Sequence, residues 1–387
     1  MLLVSGGVIQ RKHRIKYVAH YDTKNNYANR GYNLAAATKI DYICSAIRSI
    51  GCEVEIISPS ETLNQTGYFP GGVRQLSDGV SLRNFATFGC KIKIFRILKH
   101  ICSLAQLMIY LIMNTKKSEL VLVYHSVILS FPVRIAKFVK RFKLVLEVEE
   151  IYQDVVSFPR ILRKSEYGLF SAADKYLFST ELLNQKVNIG RKEFGVIYGT
   201  YETKLLRRKN TSDGKVHVVY AGTFDPRKGG ALAAAAYLSK GYHMHIIGFG
   251  SAEEVLSIQN KIDETSKITQ CTVTYDGLLS GDKYNFFLQG CDIGLSTQLP
   301  DAKFNNTSFP SKILSYMTNG LQVVSIRIPS VELSAIGKNV VYYDEQTPKA
   351  IAKAIMSVDI SKSNENLELL KKLHEEFISK TASLLEM

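Results

Sequence analysis

The segment 306–326 combines residue types that could bind an anion at the start of a helix. Pro310 suits the first helical turn, and Ser308 or Ser311 can accept hydrogen bonds from N–H groups that the turn leaves free. Lys312 adds a cation where a helix already carries partial positive charge. A glycine then ends the helix, and an apolar run returns the chain to a strand. The spacing predicts a loop, a helix and a buried strand arranged around a phosphate group.

A second candidate anion site follows the strand that begins at Val216. Gly222 and Thr223 end this strand, and Arg227 and Lys228 precede an alanine-rich helix. A glycine lets the backbone approach a ligand closely, and the two cations would lie near the helix N-terminus. The same pattern is common in α/β proteins, where exposed Arg-Lys pairs are simply solvated. Taken alone, this segment does not distinguish a phosphate-binding site from a solvated Arg-Lys pair.

Length and composition indicate two domains in a reduced, cytoplasmic protein. The chain has 387 residues, of which 46% are hydrophobic, and this is enough for more than one core. Six cysteines are scattered without a CxxC pair or a Cys/His cluster at metal-ligand spacing, which predicts no disulfide and no structural zinc. The opening MLLVSGG is too short for a secretory signal.

The positive charge lies almost entirely in the first half of the chain. Of the net charge of +14, residues 1–200 contribute +13 (28 Lys and Arg against 15 Asp and Glu), and residues 201–387 contribute +1 (21 against 20). This asymmetry predicts an anionic partner for the first half, either a membrane surface or a nucleic acid. No aromatic platform or recognition module accompanies the basic residues, so we expect no nucleic acid.

Residues 90–117 predict one helix with a basic leading end and an apolar body. Its uncharged run, from Ile101 to Thr115, is shorter than the roughly 20 residues that span a bilayer. If the helix meets a membrane, the sequence therefore favours lying on the interface or dipping into it over crossing the bilayer. The alternative is a buried core helix with solvated lysines.

Strands and helices alternate along the first half. Residues 61–89, which are rich in Gly, Ser, Asn and Thr, predict an ordered loop or lid. The remaining pattern predicts a doubly wound sheet, with strands that begin near residues 15, 54, 120, 143, 175 and 194 and with helices over 32–50, 90–114 and 131–141.

A polar connector over 199–215 separates this sheet from a second alternation of strands and helices. We predict an N-terminal domain over 1–199, a C-terminal domain over 200–363, and a final helix over 364–387 that packs back across both. Two open parallel sheets imply a cleft, with ligands at the carboxyl ends of the strands. The helices predicted in the second domain before the 306–326 segment cover 229–239, 252–261 and 282–289.

The order of motifs over 216–345 resembles the C-terminal domain of GT-B fold glycosyltransferases of the family-4 type. The motifs are a strand with the glycine turn and lysine described above, then IIGFGS, VTYDG, CDIGLS and FPSKILSYMTNGLQVVS. The first half resembles the acceptor domain of the same enzymes more loosely, through the loop from Asn25 to Asn33, the strand end VYHS, and LEVEEIY. The resemblance implies two Rossmann-like domains that face a cleft.

The resemblance also implies where a nucleotide sugar would bind. Its diphosphate would contact the loop after the first C-terminal strand and the loop that opens the later helix. Thr223 stands where the family usually has an arginine, so Arg227 would substitute for it. The implied diphosphate-binding residues are Gly222, Thr223, Arg227, Lys228, Ser308, Phe309, Pro310, Ser311 and Lys312.

On the acceptor side, the family places a histidine at the end of a strand, near the transferred sugar. His125 has this position and is predicted to be catalytic together with Lys228, and His20 is the other candidate. Without the family, a lone strand-end histidine is more often structural than catalytic. Asn33 and Glu149 are further acceptor-side candidates, and the acidic cluster around Glu149 could instead pair with the surplus of Arg and Lys.

One departure from the family concerns two glutamates eight positions apart, the second of which binds the nucleotide ribose. Thr307 and Ser315 stand at these positions. Ser315 can still form one hydrogen bond to a ribose, but it cannot give the charge-assisted bond of a carboxylate. The departure fits a branch that handles the donor sugar differently, a donor such as a furanose, or a partner-dependent or inactive subunit.

The expected activity is transfer of a sugar from a nucleotide-diphosphate sugar to a lipid-linked or surface-polysaccharide acceptor. The resemblance implies a retaining, hexosyltransferase-type reaction in which basic residues, without a metal or cofactor, stabilise the departing diphosphate. The basic first domain would bind the anionic inner face of the membrane peripherally. The alternatives are a noncatalytic scaffold or binding subunit of a transferase complex and a nucleotide-sugar epimerase.

Overall fold

The computed structural model describes residues 13–24, 26–155, 159–204, 213–226, 229–299, 305 and 307–386. These residues form two α/β domains, one built on an eight-stranded sheet and the other on a six-stranded sheet. All strand pairs of the two sheets are parallel except that of β4 with β5. The predicted α/β fold with two parallel sheets is confirmed.

The first domain has the strand order β10-β9-β8-β7-β1-β2-β5-β4. Its central strands are apolar on both faces because helices cover both sides of the sheet. The elements are β1 (Arg14–Val18), α1 (Leu34–Ser49), β2 (Glu53–Ser58), β3 (Tyr68–Phe69), β4 (Gly72–Ser77), β5 (Val80–Asn84), β6 (Thr87–Phe88), α2 (Lys93–Asn114), β7 (Leu120–Tyr124), α3 (Ser130–Lys140), β8 (Lys143–Val148), α4 (Tyr152–Val155), α5 (Arg160–Ala172), β9 (Lys175–Phe178), α6 (Glu181–Val187) and β10 (Phe194–Val196).

The region 61–89 is not the loop or lid that its composition predicts. It contains β3 to β6, and β5 extends the main sheet by pairing in parallel with β2. Ser77 pairs with Val80, so Asp78 and Gly79 form a two-residue hairpin loop with Gly79 at φ +68°. An Asp-Gly loop requires positive φ, which glycine adopts without strain, and it is a strong hairpin signal that the composition conceals.

The second domain has the strand order β13-β12-β11-β14-β15-β16, which is the 3-2-1-4-5-6 order of dinucleotide-binding sheets. The predicted helix over 229–239 is shorter than expected, because α7 ends at Ala234. The elements are β11 (Val216–Thr223), α7 (Gly230–Ala234), β12 (Tyr242–Phe249), α8 (Ala252–Ile268), β13 (Thr272–Gly277), α9 (Asp282–Gln289), β14 (Ile293–Ser296), α10 (Lys312–Thr318), β15 (Gln322–Ile326), α11 (Pro329–Glu332), β16 (Val340–Tyr343), α12 (Pro348–Met356) and α13 (Ser363–Leu384).

Helix α13 contacts both domains. Phe377 stacks on Tyr42 of α1 with ring centroids 5.6 Å apart. Asn366 Nδ2 donates to the carbonyl oxygen of Leu321 in the second domain (3.2 Å). Part of the connector between the domains, 205–212, lies outside the described residues, so the predicted boundary at residue 200 stays a prediction.

Helix α2 has an unusual distribution of side chains. Its buried stripe comprises Lys99, Ser103, Leu107 and Leu111, at intervals of four residues. Lys99 Nζ donates to the carbonyl oxygen of Thr62 (2.7 Å), so the lysine faces the domain. The helix is long and apolar enough to cross a membrane by length and composition, yet only 22% of its most apolar window is buried, which excludes a core helix. The large apolar side chains exposed at and before this helix are Ile92, Ile94, Phe95, Ile97, Leu98, Ile101, Ile109 and Met113.

Candidate functional site

The second sheet reverses its strand order between β11 and β14, and this reversal creates a crevice. In open parallel sheets, ligands bind outside the carboxyl ends of the strands at such a point. Gly222 and Thr223 end β11, and Ser296 ends β14. The topology therefore brings the two predicted diphosphate-binding loops together at one edge of the sheet.

Glycines leave the backbone open at this edge. Gly222 and Gly248 are paired in register at the ends of β11 and β12. Gly248 has φ +145°, and a Cβ at this position would lie 1.7 Å from the carbonyl oxygen of Gly222. A Cβ on Gly222 would lie 2.9 Å from Lys312 Nζ. Only glycine fits at Gly248, and the Lys312 ammonium lies directly against the glycine turn.

Tyr316 positions Lys312 over the reversal. The two residues are one helical turn apart on α10 and therefore share a face. Tyr316 Oη accepts a hydrogen bond from the backbone N–H of Ala221 (2.9 Å) and donates to the carbonyl oxygen of Leu295 (3.2 Å), which joins β11 to β14. Lys312 Nζ lies 4.1 Å from the ring centroid of Tyr220. A phosphate bound in the crevice would therefore contact the Lys312 ammonium, whose helix is hydrogen-bonded to the sheet through Tyr316.

The loop before α10 differs from its predicted geometry. The helix begins at Lys312 and has seven residues, so Pro310 precedes the helix instead of forming its first turn. Ser311 is the N-cap residue, but its side chain accepts no capping hydrogen bond. Phe309 is buried against Tyr198 of the first domain (ring centroids 5.1 Å apart), so its side chain is a packing group. Of the predicted set, Lys312 is the cation that the described structure places at the crevice.

Several buried polar atoms around the crevice have no hydrogen-bond partner among the described residues. Gly229 lies beside one of them, because a Cβ there would be 3.0 Å from Gln346 Nε2. Buried polar atoms in folded proteins are nearly always satisfied by protein, water or ligand. The crevice thus offers donors and acceptors to a polar ligand: Ser296 Oγ, Gln298 Nε2, Thr307 Oγ1, Gln346 Nε2 and Gln346 Oε1.

Thr307 and Ser315, at the two positions where the family carries glutamates, have different hydrogen-bond partners. Ser315 Oγ is hydrogen-bonded to Tyr284 Oη (3.1 Å), so its hydroxyl already has a protein partner. Thr307 is fully buried, and its carbonyl oxygen accepts a hydrogen bond from Thr180 Oγ1 of the first domain (2.9 Å). The ribose contact predicted for Ser315 therefore stays a prediction. Arg227 and Lys228, the cations predicted after β11, lie outside the described residues.

The carboxyl ends of the two sheets face each other. Thr180 follows β9 and Thr307 follows β14, so their hydrogen bond joins these two edges. Tyr198, which follows β10, accepts a hydrogen bond from the backbone N–H of Ala335 (2.8 Å). The predicted cleft therefore lies between the two strand edges, with the α10 loop at its side.

His125 is at the end of β7, as predicted, but its ring is buried. The ring packs between Tyr152 (centroids 5.2 Å apart) and Phe170 (4.8 Å), and Nε2 lies 3.4 Å from Glu166 Oε1. Burial lowers the pKa of His125 to about 3, so the ring is neutral at pH 7. With 1% of its surface exposed, His125 packs in the core, and its catalytic role stays a prediction.

His20 lies on the other side of the strand reversal of the first sheet, which is between β1 and β7. Burial, together with the charge of nearby His100, lowers the pKa of His20 to about 4. Its Nε2 is buried and has no hydrogen-bond partner among the described residues. A neutral imidazole nitrogen at the strand reversal of the first domain can donate to or accept from a hydroxyl group.

Glu149 has a structural partner, as the alternative interpretation predicts. Its carboxylate pairs with Lys39 of α1, and Lys39 also donates to the carbonyl oxygen of Ile197 (2.8 Å). Glu147 accepts a hydrogen bond from Tyr17 inside the core, and its burial, followed by the charge of Glu149, raises its pKa. The acidic cluster therefore ties β8 to α1 and the end of β10.

Asn33 caps helix α1, because its side-chain oxygen accepts from the backbone N–H of Ala36 (3.1 Å). We expect Asn33→Ala to lower the free energy of unfolding by about 1 kcal/mol and Asn33→Asp to have little effect, since aspartate also caps. Urea unfolding of the two variants measures this difference. Equal stability of Asn33→Ala and the unsubstituted protein would contradict the capping role and leave the predicted acceptor contact as the function of Asn33.

Sequence reasoning missed one cluster of potential ligands. His217, His243 and His245 each offer a ring nitrogen, and these atoms lie within 4.8 Å of one another. The predicted absence of a structural zinc rests on the spacing of the cysteines and stays a prediction. The signal was the spacing His-x-His on β12, because alternate residues of a strand share a face.

Comparisons with known proteins reveal the fold family. Neither the protein-family models nor the curated proteins give a match to this sequence. Sucrose-phosphate synthase from Thermosynechococcus elongatus superposes with a TM-score of 0.68 at 11% identity, over 97% of this chain and 98% of the other. A UDP-forming α,α-trehalose-phosphate synthase from Burkholderia xenovorans, solved with glucose-6-phosphate, gives 0.64 at 10% identity, over 97% and 99%. HepE from Anabaena, solved with UDP and glucose, gives 0.61 at 14% identity, over 96% and 98%.

These likenesses extend over both domains and nearly the whole length of each chain. At sequence identities of 10 to 14%, these likenesses show a shared fold and do not by themselves show a shared activity. The chain has the GT-B fold of glycosyltransferases, as its motifs predict.

Proposed function

We propose that this chain is a glycosyltransferase that takes a sugar from a nucleotide-diphosphate sugar bound at the β11–β14 reversal. The carrying observation is the set of buried polar atoms of Ser296, Gln298, Thr307 and Gln346, which have no partner in the described structure and belong to residues at or beyond the carboxyl ends of β14 and β16. A sugar nucleotide brings hydroxyl and phosphate groups that satisfy such atoms. HepE, which has this fold, was solved with UDP and glucose, and this supports a uridine nucleotide as the first to test.

The proposed chemistry relies on charge already in place. Departure of the nucleoside diphosphate develops negative charge on the phosphate oxygens, and a pre-positioned cation stabilises that charge more in the transition state than in the ground state. Lys312 lies against the glycine turn, where the backbone allows close approach. Arg227 and Lys228 would add to this field. We propose a metal-independent, retaining transfer in which these cations act in place of a divalent ion.

Replacement of Lys312 by glutamine removes the charge while keeping most of the side-chain volume. We expect Lys312→Gln to weaken UDP binding about 10- to 100-fold, because a hydrogen bond to a charged group contributes about 1.5 to 3 kcal/mol. Isothermal titration with UDP and a panel of UDP-, GDP-, TDP- and ADP-sugars measures the loss and identifies the base.

The matched control for this experiment is Lys338→Gln, which removes an exposed lysine from the same domain. Nucleotide affinity should be unchanged in this variant. Equal affinities of the Lys312 variant and the unsubstituted protein would place the diphosphate elsewhere. Failure of every nucleotide to bind the unsubstituted protein would overturn the proposed function itself.

We propose that the acceptor is presented at an anionic membrane surface on the cytoplasmic side, as a lipid-linked or surface-polysaccharide precursor. The support is the outward apolar face of α2, which basic residues flank at both ends: Lys91, Lys93 and Arg96 at the start and Lys116 and Lys117 at the end. Apolar side chains that enter the interface, with lysines at the headgroup level, are the arrangement of interfacial helices. Helices α2 and α3 pack together, and α3 adds Phe131 and Phe138 to this exposed surface.

A noncatalytic binding subunit is the second candidate, and one observation favours it. Ser315, at the position of the family's ribose-binding glutamate, has its hydroxyl engaged by Tyr284. A subunit of this kind would bind a nucleotide sugar without transferring or hydrolysing its sugar. Release of free sugar or product in the presence of membrane extract separates the two, because the enzyme turns over and the scaffold does not.

A further inference from the structure

Three histidines converge at the amino ends of β11 and β12, on the edge of the second sheet opposite the proposed donor site. His217 is the second residue of β11, and His243 and His245 are the second and fourth residues of β12. The register pairs His217 with His243, so all three side chains lie on one face of the sheet. His217 and His245 are buried, and His243 is half-buried.

Each histidine is held by an oxygen atom through one ring nitrogen. His217 Nε2 is 3.1 Å from Asp213 Oδ1, His245 Nδ1 is 3.0 Å from Asp276 Oδ2, and His243 Nε2 is 3.1 Å from Thr274 Oγ1. In metal sites of proteins, a ligating histidine almost always donates its second ring N–H to such an outer oxygen, which fixes the tautomer and the ring orientation.

The remaining nitrogens of His217 and His245 are directed at each other. His217 Nδ1 lies 2.9 Å from His245 Nε2, and the rings of His243 and His245 stack with centroids 3.8 Å apart. One nitrogen from each ring lies within 4.8 Å of the others. Three imidazoles around a metal with Zn–N bonds of 2.0 to 2.1 Å require nitrogens about 3.3 Å apart, so small side-chain rotations complete the geometry.

We propose that His217, His243 and His245 form a binding site for a divalent transition-metal ion that prefers imidazole, with Zn²⁺ as the representative ion. Asp213, Thr274 and Asp276 orient the three ligands, and the partly exposed edge of His243 leaves a fourth position for water. Imidazole suits zinc, copper and nickel better than magnesium or calcium, which prefer oxygen ligands.

The ion would stabilise the second domain without entering the donor site. Thr223 is six positions after His217 along β11, a distance of roughly 20 Å at the rise of a strand. Binding would link β11 to β12 and, through Asp213, to the end of the interdomain connector. An ion that binds only the folded protein raises its thermal stability, so unfolding reports occupancy independently of any enzymatic activity.

The test uses untagged full-length protein that has been treated with EDTA and desalted. Titration with Co²⁺ should give visible d–d absorption that saturates at one ion per chain and is displaced by Zn²⁺, and Zn²⁺ should raise the unfolding temperature. We expect Asp276→Asn to weaken Zn²⁺ binding about 10- to 100-fold, the range for loss of an outer partner, and His245→Gln to weaken it further. UDP affinity should stay unchanged in both variants.

The matched control is His100→Gln, which removes a half-exposed histidine that binds Glu61 in the first domain. Metal affinity should be retained in this variant. Absence of stoichiometric Co²⁺ or Zn²⁺ binding to the unsubstituted protein would overturn the proposal and leave the histidines as a hydrogen-bonded chain between Asp213 and Asp276. Equal affinity of His245→Gln and His100→Gln would overturn it as well. Asp276→Asn conserves size and shape, so it tests the site even where His245→Gln fails to fold.

Discussion

Gly248→Ala should destabilise the second domain by about 4 kcal/mol or more and abolish nucleotide binding. The added Cβ would lie 1.7 Å from the carbonyl oxygen of Gly222, and Gly248 has φ +145°, a conformation that alanine rarely adopts. Neither atom can move alone, because β11 and β12 are paired in register over their whole length. Both the backbone strain and the forced separation of the two strands lower the free energy of unfolding. We therefore expect this variant to be among the most destabilising single substitutions.

Gly241→Ala provides a matched control at the other end of the same strand. Gly241 immediately precedes β12, has no positive φ, and has no atom within 4 Å of an added Cβ. Its substitution should change the free energy of unfolding by less than about 1 kcal/mol. Urea unfolding of both variants, with UDP titration of whichever folds, measures the contrast. Similar stability of the two variants would mean that the strand ends are not paired as described.

The local pattern of the sequence predicts most regular elements because strand and helix periodicity are short-range properties. The helix predicted over 32–50 is α1 over Leu34–Ser49, and that predicted over 282–289 is α9 with the same bounds. Strands buried on both faces, such as β7, are continuous apolar runs that are easily located. These elements fix the alternation of strand and helix and therefore the fold class.

The elements that sequence reasoning missed depend on contacts distant in the chain. Strands β4 and β5 have polar, partly exposed residues, and what makes them a sheet is the pairing of β5 with β2. No helix is predicted between residues 148 and 175, yet α5 lies there and supplies Glu166 and Phe170 to the packing around His125. Composition cannot reveal a partner that lies on another element.

In the candidate site, too, the local motif is predictable from sequence, whereas the tertiary contacts are not. The motif that contains Lys312 is recognisable in sequence, and the strand reversal places it over Gly222. Burial of Phe309 against Tyr198 and the hydrogen bond of Ser315 to Tyr284 are tertiary contacts, and they change what these side chains can offer a ligand. The positive charge of the first half is visible in sequence, whereas the direction in which α2 presents its apolar residues is not.

The direction of α2 is decided by polar contacts beneath it. Lys99 and Ser103 donate to the carbonyl oxygens of Thr62 and Pro59, and these bonds satisfy backbone groups at the end of β2 and in the segment after it. Leu107 and Leu111 continue the same stripe into the core, so the other apolar side chains of the helix face outward. A large exposed apolar surface on a soluble domain indicates an interaction site, and flanking lysines indicate an anionic lipid surface as its partner.

Substitution of Ile94, Leu98 and Ile101 by glutamine should therefore reduce binding to anionic vesicles roughly a thousandfold. The three side chains lie on one face of α2 at intervals of four and three residues, and each is about half exposed or more. Taking about 1.5 kcal/mol for each side chain, the lower end for full apolar burial, the triple variant loses about 4.5 kcal/mol. Glutamine is a good helix former, so α2 itself should persist.

Flotation with phosphatidylserine-containing and neutral vesicles measures the effect, with the triple variant Leu256→Gln, Ile268→Gln and Leu278→Gln as the matched control. These three residues are equally exposed apolar side chains of the second domain, where the net charge is close to zero. The unsubstituted protein should float with anionic vesicles, less so as salt is raised, because screening weakens the attraction of the lysines while the apolar contribution remains. Binding that is equal for both triple variants, or indifferent to lipid charge, would show that α2 and its flanking lysines are not the membrane contact. The acceptor would then have to reach the cleft from solution.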